Sequence, residues 1–282
     1  MQKPLKIAII DLYNNVPNEG MRCIVKLVNE FQEREQIEVE TQVFNVRAKN
    51  EIPNLNFDIY ISSGGPGSPL ESAEAWEKPY FEFIDAVFEY NKSESVQCGK
   101  SSRKYMFLIC HSFQLVSRHL GIGKITKRRS TAFGVFPVNR IDKTLKENLF
   151  EGLPEPFYVV DSRDYQLVSP NQRRIKELGV TILRMEKERP HVNLERAIMA
   201  IRFSEEVFGT QFHPEADGLG MLKYLSGEEK KKVVIKTHGL KKYNDMIDKL
   251  DDPDKILLTE SIIIPKFLKQ ALVYRQSLAE FA

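Results

Sequence analysis

A single cysteine stands at the junction between a predicted strand and a predicted helix. Before Cys110 runs the apolar segment 105–109 (YMFLI), which predicts a buried strand, and the pattern after it predicts a helix. A sharp strand-to-helix turn exposes one side chain and points free helix N–H groups at it. Those groups lower a thiol's pKa and can hold an oxyanion. Cys110 is therefore either a nucleophile or a small buried hydrophobe, and this stretch alone does not separate the two.

A thiolate nucleophile needs a base, and among the five histidines His213 has the most suitable setting. It ends the predicted strand 207–212, Pro214 closes that strand, and Glu215 follows two residues after the histidine. A carboxylate there can accept the imidazole N–H, fix the tautomer and stabilise the imidazolium. The alternative is that His213 only satisfies a strand end and that Glu215 is a surface charge.

The surrounding elements would position these residues in an α/β sheet. Strands are predicted at 6–12, 37–46, 57–61 and 104–109, with helices after residue 20 and over 75–90, and with a polar surface loop at 91–103. Strands alternating with helices predict a mostly parallel sheet that is covered on both faces. Shorter strand-like runs then follow at 133–141, 157–160, 180–185, 197–203 and 207–212, so this half adds antiparallel pieces.

Composition excludes several function classes. The chain has 282 residues, 28% charged and 42% hydrophobic, with a net charge of +2, which argues against disorder and against a nucleic-acid-binding stripe. The N-terminus leads into a short strand, and no segment approaches the ~20 apolar residues of a membrane span, so we expect a cytoplasmic protein. The three cysteines (Cys23, Cys98 and Cys110) are too few for a disulfide framework, and neither they nor the histidines show metal-ligand spacing. Cys23 lies on the apolar face of a predicted helix and is interpreted as packing.

Three motifs together resemble the class I (triad-type) glutamine amidotransferase domain found in GMP synthetase, anthranilate synthase and carbamoyl phosphate synthetase. They are S-G-G-P-G at 63–67, I-C-x-x-x-Q at 109–114, and G-x-Q-F-H-P-E at 209–215, with Glu215 in the acid position. They occur in the family's order, and the resemblance covers roughly residues 5–225. It implies a flavodoxin-like three-layer α/β/α sandwich with a mixed, mostly parallel central sheet, followed here by a C-terminal helical extension.

The resemblance also implies a mechanism and a set of site residues. Cys110, His213 and Glu215 would form the catalytic triad, and Cys110 would attack a glutamine side-chain amide to give a γ-glutamyl thioester and ammonia. The backbone N–H groups of Gly65 and His111 would form the oxyanion hole. The substrate-binding residues would be Gly64, Gln114, Arg163 and Asp164. The chemistry calls for no metal and no organic cofactor, since nucleophile and base are both side chains.

Two departures from the family pattern keep other functions open. Leu108 and Ser112 stand where the family usually has glycine, and the stretch Asp161-Ser162-Arg163-Asp164 has arginine where the family often has histidine. The leading hypothesis is a glutaminase that delivers ammonia to a synthetase partner protein. One alternative is hydrolysis of another γ-glutamyl compound with the same triad. Another is a catalytically silent binding or regulatory protein on the same fold.

The chain continues well past the third motif. We predict an amidotransferase-like domain over residues 1–226 and a helical extension over 227–282, ending in a helix at about 261–281. The predicted partners are a small-molecule substrate, glutamine or a γ-glutamyl compound, and a synthetase, without nucleic acid or membrane. The extension is expected to pack against the domain or to dock the partner protein.

Overall fold

A mixed sheet of nine strands runs through the protein in this computed structural model, which describes residues 3–99, 101–142, 144–191, 193–248, 250 and 252–280. The strand order is β2-β1-β3-β4-β9-β8-β7-β5-β6. The strands are β1 (Leu5–Asp11), β2 (Val39–Asn45), β3 (Ile59–Ser62), β4 (Tyr105–Ile109), β5 (Lys124–Arg140), β6 (Phe157–Val168), β7 (Thr181–Glu186), β8 (Ile198–Arg202) and β9 (Val207–Thr210).

Helices lie on both faces of this sheet. They are α1 (Gly20–Glu35), α2 (Val46–Lys49), α3 (Glu77–Lys92), α4 (Glu94–Gln97), α5 (His111–His119), α6 (Gln172–Leu178), α7 (Gly218–Ser226), α8 (Glu228–His238), α9 (Leu240–Asp248) and α10 (Leu258–Glu280). A 3-10 turn covers Asn148–Phe150, and a π-helical turn covers Pro253–Leu257.

The first five strands of the order, from β2 to β9, pair in parallel, and the other four pair in antiparallel fashion. In β1 the side chains alternate, so that Ile7 and Ile9 enter one hydrophobic core while Ala8 and Ile10 enter another. Helices α1 and α10 pack into the first core, and α3 and α5 pack into the second. The expected three-layer α/β/α sandwich with a mixed sheet is therefore confirmed.

The antiparallel half contains a longer strand than the sequence predicted. The prediction began at residue 133, whereas β5 begins at Lys124 and pairs with β6 as far as Val168, with an irregularity between Lys127 and Ala132. The missed part, 124–130, is rich in Lys and Arg and is half-buried or exposed, so it lacks the apolar alternation that marks a strand. Helices α7, α8 and α9 cover this half through a third core around Phe133 and Val160.

Other boundaries also differ from prediction, among them the end of β6, which was predicted at residue 160 and lies at Val168. The stretch 91–103, expected to be a loop, contains the end of α3 and all of α4, because Val96 turns inward and is buried there. The last helix begins at Leu258 rather than 261, and residue 281 lies outside the described residues.

Among the described residues, no helix is both long enough and apolar enough to cross a membrane.

Helix α10 joins the centre of the fold rather than its edge. The ring of Phe267 meets that of Phe107 on β4 edge-on, with centroids 5.2 Å apart, and Phe267 is 1% exposed. At the start of the helix, Lys26 of α1 donates a 2.7 Å hydrogen bond to Glu260. The end of the chain therefore contributes to the same core as β4, the strand that leads to Cys110.

Candidate active site

The backbone at Cys110 has the sharp geometry of a strand-to-helix elbow. Cys110 follows β4, precedes α5 and has φ 48° and ψ −93°. A positive φ is rare for a residue with a side chain and costs about 1–3 kcal/mol. Hydrogen bonds hold it in place: Cys110 N donates to Thr210 O at 2.7 Å, and Gln114 N donates to Cys110 O at 3.0 Å. The fold thus presents the thiol at the amino end of a helix, at the carboxyl edge of the parallel strands.

The two residues that replace the family's glycines fit this elbow for separate reasons. The Ser112 hydroxyl accepts a 2.8 Å hydrogen bond from Ile109 N and donates one of 2.8 Å to Ser62 O. Leu108 is fully buried and pairs in register with Gly209, where an added Cβ would lie 3.3 Å from the Leu108 Cβ. An added Cβ at 209 would also lie 2.9 Å from Phe113 and 3.0 Å from Phe203, so the absence of a side chain there makes room for both rings as well as for Leu108. Ser112 braces the turn.

His213 and Glu215 form a buried pair on the adjoining strand end. His213 Nδ1 lies 2.7 Å from Glu215 Oε1, and the Glu215 side chain is 1% exposed. Burial alone would lower the pKa of His213, but the charges of Glu215 and Cys110 outweigh it and raise that pKa well above 6.5. The pairing occupies Nδ1, so Nε2 is the nitrogen left to exchange a proton with a reacting group.

The cysteine and this pair line one cavity of about 430 Å³. Cys110 Sγ lies 3.7 Å from Ser162 O and 3.7 Å from Gln211 Nε2. The charge of Cys110 also contributes to the raised pKa of His213. The three residues predicted as the triad are thus brought together from β4 and from the segment after β9.

The glycine turn after β3 comes close to both the base and the first strand. A Cβ added to Gly64 would lie 2.8 Å from Cε1 of His213, and one added to Gly65 would lie 2.4 Å from Leu12 O. Neither position has room for a side chain. Gly65 lines the cavity, as does His111 at the start of α5. Burial, aided by Arg47 and Arg118, lowers the pKa of His111 to about 3, which leaves that ring neutral.

The predicted substrate-binding side chains lie on one flank of the cavity. Gln114 is buried and donates 2.9 Å hydrogen bonds to Tyr165 O and to Gln211 Oε1. Asp164 is exposed and accepts a hydrogen bond from the Thr131 hydroxyl. The guanidinium of Arg163 is 1% exposed and is bound by Asp161 and Glu186. Of the two charged residues predicted to meet the ends of the substrate, only Asp164 presents an exposed side chain.

Sequence reasoning missed several residues that line this cavity. Tyr13 lies two residues beyond the end of β1, so its place at the carboxyl end of a central parallel strand was a usable signal. Phe133, Met221 and Tyr224 arrive from β5 and α7, and no local pattern links them to Cys110. Cys23, interpreted as packing, is buried in the wall, and burial raises the pKa of its thiol to about 12.

Within the described part of the chain, no three His, Cys, Asp or Glu side chains are grouped so that they could hold a metal ion. The lining instead offers one thiol beside an imidazole, a second thiol kept protonated by burial, and the main-chain N–H groups of the elbow. Such a set can carry out acyl transfer, in which a thiolate attacks a carbonyl and an imidazole moves the proton.

Comparisons with known proteins bear on the family and the fold. The family model for glutamine amidotransferase class-I matches residues 26–221. A search of curated proteins found no significant match. A glutamine amidotransferase from Thermotoga maritima is similar in structure, with a TM-score of 0.61 at 14% identity over 96% of this chain and 99% of that one. Another from Methylobacillus flagellatus has a TM-score of 0.56 at 13% identity, over 95% of each chain. At these identities the two structures show a shared fold.

Proposed function

Because the chain belongs to the class I glutamine amidotransferase family, we propose that it hydrolyses the side-chain amide of glutamine through a γ-glutamyl thioester on Cys110 and supplies the ammonia to a synthetase partner. One observation carries this proposal. A cysteine at a strained elbow shares a cavity with a histidine that is itself paired, at 2.7 Å, with a buried glutamate. A nucleophile, its base and the group that orients the base are the minimum set for acyl transfer.

In the first half-reaction the Cys110 thiolate attacks the amide carbon. Negative charge develops on the carbonyl oxygen, and the backbone N–H groups of Gly65 and His111 stabilise it; one such donor is typically worth about 10²–10³-fold in rate. His213 then gives its proton to the departing nitrogen, so that ammonia leaves and the thioester remains. The raised pKa of His213 favours this step because the imidazolium is already present in the free enzyme.

In the second half-reaction His213 accepts a proton from water, and the resulting hydroxide attacks the thioester carbon. The Cys110 thiolate leaves the carbonyl carbon, and glutamate departs while its γ-carboxyl proton passes to solvent. The thiolate and the His213 imidazolium of the free enzyme are thereby restored. Glu215 stays ionised throughout and holds the imidazole by its Nδ1. Gly64 lets the main chain approach, Gln114 lines the cavity one helical turn beyond the nucleophile, and Asp164 receives the substrate's α-ammonium group. Arg163, bound by Asp161 and Glu186, fixes the strand that carries Asp164.

The test is release of glutamate and ammonia from glutamine by the wild type, Cys110→Ala and Cys23→Ala. Cys23 is a matched control because it is a second buried thiol on the wall of the same cavity. We expect Cys110→Ala to abolish release and to leave no acyl-enzyme detectable by mass spectrometry, while Cys23→Ala releases both products. If glutamate release survives in Cys110→Ala, the thioester mechanism is wrong.

A further inference from the structure

Strand β6 sets the base, the nucleophile and the predicted substrate-binding glutamine in a line. His213 N donates a 2.9 Å hydrogen bond to Val160 O, Cys110 Sγ lies 3.7 Å from Ser162 O, and Gln114 Nε2 donates a 2.9 Å bond to Tyr165 O. A strand advances about 3.3 Å per residue. The cavity therefore has a Gln114 end and a His213 end, with the thiol between them.

The two ends differ in chemistry. At the Gln114 end the lining includes the amide of Gln114, the exposed carboxylate of Asp164 and the ring of Tyr165. These groups suit the ammonium group and the polar backbone of an amino acid. We therefore place the α-carbon of the γ-glutamyl group at this end.

The His213 end opens onto an apolar surface, which we call the apolar arm: Phe133, Val160, Ala216, Met221 and Tyr224. Its members pack as one unit, since all but Tyr224 belong to or border the third core and the ring of Tyr224 lies 5.6 Å from that of Phe133. The arm is attached to the base, because Val160 forms an isolated bridge with His213 and Ala216 follows Glu215 in the chain.

The carboxylates near the arm are already paired. Glu215 and Asp217 line the cavity on this side, where Glu215 lies 2.7 Å from His213 and Asp217 lies 2.7 Å from the guanidinium of Arg22. Arg163 is the one Lys or Arg among the described lining residues. Its guanidinium is bound by Asp161 and Glu186. A carboxylate entering the arm would thus leave water for apolar side chains and find no unpaired Lys or Arg among the described lining residues. Binding there is therefore more favourable for an uncharged group of the same shape.

The mechanism fixes which part of a substrate would occupy the arm. His213 must protonate the departing nitrogen, so whatever that nitrogen carries lies on the His213 side of the thiol. Ammonia is a single heavy atom and leaves the arm empty. We infer that the enzyme also cleaves secondary γ-glutamyl amides whose amine bears an uncharged apolar group, and that this group binds in the apolar arm.

This inference rests on the proposed thioester chemistry and names a substrate class for the same site. The bond between Cys110 Sγ and the γ-carbon forms as the C–N bond breaks, and the proton on His213 goes to the amine nitrogen. Water then gives a proton to His213 and its oxygen to the thioester carbon, glutamate leaves with its γ-carboxyl proton passing to solvent, and the Cys110 thiolate and His213 imidazolium are restored. No oxidant, reductant or second substrate besides water enters the balance.

The test compares three amides on the full chain: glutamine, γ-glutamyl-isobutylamide and γ-glutamylglycine. The last two amines have the same branched skeleton, with two methyl groups in one and two carboxylate oxygens in the other. We expect kcat/KM for the isobutylamide to exceed that for γ-glutamylglycine by about tenfold or more, the range that an apolar pocket supplies. Glutamate release measures all three reactions on one scale.

Two variants address the arm itself. Met221→Asp places a carboxylate in the arm, and Tyr224→Ala removes a ring that is 45% exposed, so its effect on folding is small. We expect each to lower the ratio of kcat/KM for the isobutylamide to that for glutamine by about tenfold or more. The control is Leu219→Asp, on the same helix α7 but 71% exposed, which should leave the ratio unchanged.

The outcomes are distinguishable. If glutamine is hydrolysed but the isobutylamide is no better than γ-glutamylglycine, or if Leu219→Asp and Met221→Asp change the ratio equally, the apolar arm is not a substrate site and the proposed function stands. If no amide yields glutamate, both the inference and the proposed function are wrong.

Discussion

Gly64 lies against the imidazole of His213 so closely that a Cβ at position 64 would be 2.8 Å from the ring's Cε1. Real Cβ atoms essentially never come so near another heavy atom. The position of the base is therefore set from two sides, by Glu215 at Nδ1 and by the bare main chain of the glycine turn. The glycine that sequence reasoning associated with substrate approach also defines where His213 can lie.

This contact predicts the effect of Gly64→Ala. The added methyl group must displace His213 from Glu215 or shift the turn, and a misplacement of about 1 Å at a catalytic group costs about 10²-fold in rate. We expect kcat for glutamine hydrolysis to fall by about that factor, with a loss of stability of about 1–3 kcal/mol from overpacking. Gly227→Ala is the control, because a Cβ there meets its nearest atom at 3.5 Å. Near-normal kcat in Gly64→Ala would contradict the role given to this contact.

The hydrogen bonds of Ser112 lead us to expect that removing its hydroxyl destabilises the elbow. Ser112→Ala leaves Ile109 N and Ser62 O without the hydroxyl that joins them, and unsatisfied buried groups cost about 1–3 kcal/mol. We expect the free energy of unfolding, measured by urea denaturation, to drop by that amount and kcat to fall as the elbow loosens. Ser117→Ala is a matched control on α5: it too is fully buried, and its hydroxyl has no hydrogen-bond partner among the described residues. Equal losses in the two variants would show that the bridge does not brace the turn.

The raised pKa of His213 leads us to expect that the stability of the protein depends on pH. Because Glu215 and Cys110 raise that pKa well above 6.5 in the folded protein, the stabilisation from the imidazolium is complete below pH 6.5 and is lost as the pH rises through the folded-state pKa. Glu215→Gln removes this effect. We expect the free energy of unfolding of the variant to be lower than that of the wild type by about 3–5 kcal/mol near pH 6, the cost of breaking a buried pair, and the difference to shrink as the pH rises through the folded-state pKa of His213.

Urea denaturation of the wild type and of Glu215→Gln, from pH 6 upward, measures this difference in the free energy of unfolding. The pH profile of kcat should also shift to lower pH in the variant, because the pKa of His213 falls. Asp85→Asn is the control, since Asp85 pairs with His119 at 2.8 Å on the exposed surface, where such pairs contribute about 0–1 kcal/mol. A stability difference that stays constant with pH would rule out a raised His213 pKa.

The packing of helix α10 leads us to expect that truncating Phe267 destabilises the core. Phe267→Ala empties the space beside Phe107, and such truncations cost about 3–5 kcal/mol. Val273→Ala, on the same helix but 50% exposed, should change the free energy of unfolding by no more than about 0.5 kcal/mol. Because Phe107 lies on the strand that leads to Cys110, Phe267→Ala should also lower kcat at temperatures where the variant is folded. A stability loss no larger than that of Val273→Ala would mean that the helix is dispensable to the core.

The parallel half of the fold was predictable because its signals are local. Strand β4 is apolar throughout since it is covered on both faces, and α1 repeats its buried residues at helical spacing. The long strand β5 was not predictable over 124–130. Its stability there comes from pairing with β6, and Lys and Arg side chains that reach into solvent conceal the alternation.

By itself, the sequence determined the chemistry: a cysteine between strand and helix, a histidine at a strand end with a glutamate two residues on, and a glycine turn. Each is a short motif whose residue types carry the information. Only the tertiary structure decided how Leu108 fits, which side of the thiol is apolar, and that the last helix supports β4. These depend on contacts between segments far apart in the chain, such as Gly209 beside Leu108 or Met221 beside Phe133, and no local pattern encodes which distant side chains will meet.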